Sequence, residues 1–141
     1  MKIVGTGSCL PQRVVSNDDL AAIMDTSDEW ISSRTGIRNR HIATTETTTS
    51  LACDAVKSAL QDAGIDGSEI DLIIAASVST DKIVPSLACQ IQAEIGAEGA
   101  VAFDINAACS GFLFGLATAD AYFRRMLVGR NSPYSLPLKV I

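Results

Sequence analysis

Histidine occurs once in these 141 residues, at His41, and no two of the four cysteines stand in a C-x-x-C pair. Structural zinc and most catalytic metal centres need several such ligands at short spacing, so a metal site is not expected. Positive charge is also scarce. Eleven Lys and Arg face sixteen Asp and Glu, for a net charge of −5. A phosphate backbone demands a basic face, so nucleic acid is excluded as the main partner. Long apolar runs are missing as well. The stretch from Phe112 to Ala117 falls far short of the ~20 residues that cross a bilayer, and no membrane association is expected. Met1-Lys2-Ile3-Val4-Gly5 opens without a charged-then-apolar export signal. Free thiols in a reducing cytoplasm are the simplest expectation.

What is present points to a packed globular chain. Hydrophobic residues make up 48% and charged residues 19% of the sequence. Ile3-Val4 before Gly5, Gly7 and Pro11 reads as a short strand and turn. Ser16 or Asn17 can cap a helix over 18–24, and Thr26 or Ser27 a second over 28–34 that Gly36 stops. A third helix from Thr49 or Ser50 to Ala63 carries the stripe Leu51, Ala52, Ala55, Val56, Ala59 and Leu60, followed by Gly64. The run Asp71 to Val78 suits a strand covered on both faces. Ser86 caps a helix with the stripe Leu87, Ala88, Ile91 and Ile95, and Val101 to Ile105 is another short strand. Strands alternating with helices predict an α/β layered fold, with a mixed, largely parallel sheet and helices on both faces. After residue 105 the chain turns through Asn106-Ala107-Ala108-Cys109-Ser110-Gly111 into a helix reaching about Arg124. That helix is apolar nearly all round and is expected to be central and buried. Residues 125–137 lack either periodicity and contain two prolines, so 1–124 reads as one domain and 125–141 as an atypical tail, disordered, poorly packed or frameshifted.

Cys109 stands out chemically. A helix start presents unpaired N–H groups and partial positive charge, which favour the thiolate, the nucleophilic form. Ala107, Ala108, Ser110 and Gly111 are small enough to leave room beside the sulfur. Taken alone, a free cysteine near a helix start is more often a packed small residue, so spacing makes Cys109 a candidate only. Gly5-Thr6-Gly7 is not a dinucleotide fingerprint, because no further glycine spacing follows. Cys9, Cys53 and Cys89 read as inert thiols, and Asp81-Lys82 as a solvated loop.

Four blocks resemble β-ketoacyl-acyl-carrier-protein synthase III, a condensing enzyme of the thiolase superfamily. They are Gly5 to Pro11, Asp25-Thr26-Ser27-Asp28-Glu29-Trp30-Ile31 continued to Ala43, Pro85 to Gln92, and Ala102 to Phe112. Their order and spacing agree from residue 2 to about 124. The resemblance implies an acyltransferase that starts fatty acid synthesis, moving an acyl group from acyl-CoA to Cys109 and condensing it with malonyl-ACP. It places Trp30 against the adenine of coenzyme A, with Arg34 and Thr26 also contacting that ligand. Without it, Trp30 is an ordinary half-buried anchor and Arg34 part of a solvated face. It puts Val84 at the position that reaches across a homodimer into the partner's acyl pocket; otherwise Val84 is a loop residue packed in its own subunit. No cofactor is implied beyond the coenzyme A thioester. The family's histidine, asparagine and glycine-rich oxyanion loop come from a second half that has no counterpart in these residues, so this chain is expected to be incomplete alone. A thiolase-superfamily acyltransferase of secondary metabolism, or a non-catalytic subunit of a split enzyme, are the alternatives.

Overall fold

Two parallel strands organise the part of the chain around Cys109. The computed structural model describes residues 2–129 and 139–140, with side chains through residue 124. Strand β4 (Leu72–Ala76) pairs in parallel with β5 (Val101–Ile105), with Ile73 opposite Ala102 and Ala75 opposite Asp104. Alternation then sorts the side chains. Ile73, Ala75 and Ala102 join a core with Cys53, Leu87, Ala88 and Ile91, supplied by helices α3 (Thr48–Ala63) and α4 (Leu87–Glu94). On the other face Phe103 meets Tyr122 of α5 (Gly111–Gly129), ring centroids 5.9 Å apart. A sheet with helices on both faces is the α/β layering that the apolar pattern predicts.

The chain divides into two compact units, one of residues 10–47 and one of residues 1–9 with 48–141. The sequence pattern, by contrast, suggests a single unit over 1–124. In the larger unit, β1 (Lys2–Ile3) pairs in parallel with β6 (Lys139–Val140). The segment after β1 runs along α3. A Cβ on Gly7 would overlap the Ala55 carbonyl oxygen and the Ala59 amide, so close backbone approach explains that glycine. The Thr6 amide donates to Asp62 Oδ2 at 2.9 Å.

In the smaller unit β2 (Arg13–Ser16) pairs antiparallel with β3 (Asn39–Ile42). Helices α1 (Asn17–Ala21) and α2 (Asp28–Thr35) lie between them in sequence. Ser16 caps α1 in a capping box with Asp19, and Ser27 caps α2 by accepting from the Trp30 amide. Gly36 ends α2 at a φ of 72° and Gly64 follows α3 at 65°, as their left-handed conformations require.

Three expectations need correction. Helix α5 is apolar nearly all round but not buried: Phe112, Leu113 and Phe114 are 66%, 69% and 59% exposed. Its contacts are made along one side, with Gly115 backed onto Ile105 and Ile74. It also runs on to Gly129, past the expected end at Arg124. Helical propensity without proline carries it there, the two prolines coming later. Lys139–Val140 is a strand; the irregular stretch expected over 130–138 lies outside the described residues. The Asp81-Lys82 loop is exposed, as expected, and Asp81 has a structural role within it. Its two carboxylate oxygens accept from the amides of Thr48 at 3.1 Å and Thr49 at 2.7 Å, capping the start of α3.

Candidate active site

Cys109 lies in a single 3-10 turn, Ala108–Ser110, that joins β5 to α5, and its side chain is exposed. The turn is closed by the Ser110 amide donating to the Ala107 carbonyl at 3.0 Å. Ala108 sits at a φ of 43°, a left-handed conformation that costs a residue with a Cβ about 1–2 kcal/mol. This strained corner swings the next residue outward. Gly111 then brings α5 against β4: a Cβ there would lie 2.9 Å from the Cβ of Ala76. The sulfur is therefore presented just ahead of the positive end of a 19-residue helix. The other thiols differ. Cys53 is buried, and that burial raises its pKa, consistent with an inert core thiol. Cys89 and Cys9 are part-buried, with contacts to the Ala102 carbonyl and to Asp54.

Val84 lies on the loop from β4 to α4, next to the cis Val84-Pro85 bond. It is 83% exposed and its neighbour Ile83 91% exposed. Because β4 and β5 are parallel, this loop and the Cys109 turn leave from the same carboxyl edge, where ligands bind in open α/β sheets. The Ser77 amide donates to the Ile105 carbonyl at 3.3 Å and ties the two exits together. Asp81 and Thr48, whose hydroxyl donates to the Ser79 carbonyl at 2.9 Å, pin the loop before Ile83. On its far side, Asp104 accepts from the amides of Leu87 at 2.8 Å and Ala88 at 2.7 Å, capping α4. Neither capping role is legible in the sequence.

Thr26, Trp30 and Arg34 belong to the smaller unit, and there they come together. Asp25, Thr26, Ser27 and Trp30 line an open recess of about 360 Å³. Trp30 is 55% exposed. Arg34, one turn along α2, lays its guanidinium over the indole and donates to the Trp30 carbonyl at 3.2 Å. An exposed aromatic face beside a guanidinium suits a ligand with a flat base and anionic groups. His41 is a strand residue whose Nδ1 lies 2.7 Å from the Pro11 carbonyl. Among the described residues no group of three or more His, Cys, Asp or Glu could hold a metal ion, and no helix is long and apolar enough to cross a membrane.

No family model matches the chain. It is 53% identical over 121 residues, 86% of its length, to β-ketoacyl-[acyl-carrier-protein] synthase III of Streptococcus sanguinis, of which it covers 37%. The crystal structure of 3-oxoacyl-[acyl-carrier-protein] synthase III from Aquifex aeolicus superposes with a TM-score of 0.83 at 51% identity, over 88% of this chain and 40% of that one. The priming β-ketosynthase of the R1128 polyketide pathway superposes at 0.79 and 40% identity, over 84% of this chain and 36% of that one. The chain thus spans between 37% and 39% of the length of the curated relatives first compared with it. Over that span the chain is similar in sequence, and in its thiolase-like α/β fold, to β-ketoacyl-[acyl-carrier-protein] synthase III.

Proposed function

We propose that this chain is the acyl-accepting part of a β-ketoacyl-[acyl-carrier-protein] synthase III, with Cys109 as the nucleophile. The carrying observation is the exposed sulfur on a strained turn at the carboxyl edge of two parallel strands. The Cys109 thiolate attacks the carbonyl of an acyl-CoA thioester, a new C–S bond forms, and coenzyme A leaves as its thiolate and takes a proton. Malonyl-ACP then loses carbon dioxide, its enolate carbon attacks the acyl-cysteine, and 3-ketoacyl-ACP leaves as the Cys109 sulfur is released. Trp30, Arg34 and Thr26 bind the nucleotide end of coenzyme A by stacking, ion pairing and hydrogen bonding. Val84 contributes to an acyl pocket across a homodimer. The substrate's own coenzyme A is the sole cofactor-like group, and the reaction runs in the cytoplasm, where four free thiols persist.

The second step draws on a histidine and an asparagine beyond this span, so the 141 residues alone do not complete the cycle. Labelled acetyl-CoA is expected to acylate the full-length protein, and Cys109→Ala to abolish that label. Undiminished labelling of the Cys109→Ala protein would overturn the assignment. The 40% identity to a polyketide priming ketosynthase supports a second reading, an acyltransferase of secondary metabolism. Comparing condensation with the carrier proteins of the two pathways separates these readings.

A further inference from the structure

Helix α2 carries both Trp30 and Arg34, yet none of its residues is buried. A helix without a buried apolar stripe takes its orientation from something other than core packing. Asn17 supplies it. This first residue of α1 is only 1% exposed, the one buried polar residue among the described residues. Its Nδ2 donates to Asp28 Oδ1 at 2.7 Å and to the Ile37 carbonyl at 2.8 Å. Asp28 is the first residue of α2, and Ile37 follows the Gly36 that ends it. One amide side chain therefore grips both ends of the same helix. Its Oδ1 accepts from Arg40 Nη2, and Arg40 Nη1 donates to the Val15 carbonyl at 3.0 Å, anchoring the amide to both strands of the β2–β3 pair. The Asn17 backbone amide adds a bond to the Arg38 carbonyl at 3.1 Å.

We propose that Asn17 is the positioning residue of the recess at Trp30 and of the Arg34 beside it, setting its affinity for a nucleotide-bearing thioester without touching the ligand. The inference rests on the reading of Trp30 and Arg34 as a coenzyme A contact. Chemistry narrows what can stand at this position. Both amide hydrogens are donated and the oxygen accepts, so an apolar residue would leave Asp28, the Ile37 carbonyl and Arg40 without their buried partner. The substitution Asn17→Asp would keep the Arg40 bond, lose both donors and set a second carboxylate against Asp28.

The test uses the whole chain and its own reporter, because Trp30 is the sole tryptophan. Coenzyme A is titrated against Trp30 fluorescence for wild type, N17A, N17D and the exchange variant N17D/D28N, with far-UV circular dichroism recorded for each. Wild type is expected to show a saturable change. N17A and N17D should bind roughly tenfold or more weakly, the scale of losing one buried hydrogen-bonded link. The exchange variant lets residue 28 donate to residue 17 and should recover part of that loss, which a loss of general stability would not. Wild-type affinity in a folded N17A overturns the proposal, as does an exchange variant no better than N17D. If N17A does not fold, the comparison of N17D with the exchange variant decides. A folded wild type whose emission ignores coenzyme A removes the coenzyme reading itself, and the proposal with it.

Discussion

The Arg34 guanidinium stands 4.6 Å from the centroid of the Trp30 ring, so one face of the sole indole is covered by a cation from its own helix. At an exposed site such a pair contributes about 0.5–1 kcal/mol, which favours one orientation of the ring roughly two- to fivefold while leaving it accessible. Arg34→Ala is expected to uncover that face. The collisional quenching constant of Trp30 with acrylamide should rise, while the urea midpoint falls only slightly, by no more than the ~0.5–1 kcal/mol of the pair. An unchanged quenching constant would show that the stack does not persist in solution.

Glu46 provides a pH signature. Its carboxylate accepts from the backbone amides of Gln12, Thr44 and Thr45 and from its own, which holds its pKa down at about 2 against the ordinary 4.5. A depressed folded pKa means the ionised form stabilises the native state. That contribution is complete above pH 4.5 and is lost as pH falls toward 2. Between those limits the wild-type urea midpoint should fall more steeply than that of Glu46→Gln. Parallel curves for the two proteins would contradict the assignment.

Asp104 joins a strand to a helix. Two charge-assisted bonds to the first amides of α4 are removed together in Asp104→Ala, at an expected cost of roughly 2 kcal/mol. Chemical denaturation should show a lower midpoint with an unchanged slope.

Ala108 offers the opposite sign. Glycine tolerates a φ of 43° without the Cβ penalty, so Ala108→Gly is expected to gain about 0.5–1 kcal/mol after its extra unfolded-state entropy. Thermal melting measures the gain. The same substitution should slow Cys109 acylation in the full-length protein, since the sulfur is then held less firmly.

Much of this architecture is written in local pattern. The stripes of α3 and α4, the run of β4 and the stops at Gly36 and Gly64 all report on neighbours three or four residues apart, and they emerged where expected. The β2–β3 pair is only half legible, since Arg40-His41-Ile42 alone has a strand-like pattern. Arg13-Val14-Val15-Ser16 is too short and mixed to declare itself, and Asn39-Arg40-His41 is polar. The polar clasps were not visible at all. Asp81 reaches Thr48 and Thr49 across 33 and 32 positions, and Asn17 reaches Arg40 across 23. Periodicity carries no information at that separation, because such bonds exist only after the chain has folded. The turn around Cys109 lay between: its small residues were legible, but the left-handed corner at Ala108 was not, since alanine gives no sign of it.

Asp104 has a further effect, on the alignment of the sheet. Ala102 and Asp104 point toward the α4 side, while Phe103 and Ile105 point toward α5. Were β5 to slide one position along β4, the anion would be thrust among the hydrocarbon groups of α5, and two amides at the head of α4 would go unanswered. A single carboxylate thus penalises the mispaired sheet twice, and so helps ensure that the corner bearing the sulfur forms at the right end of the strand.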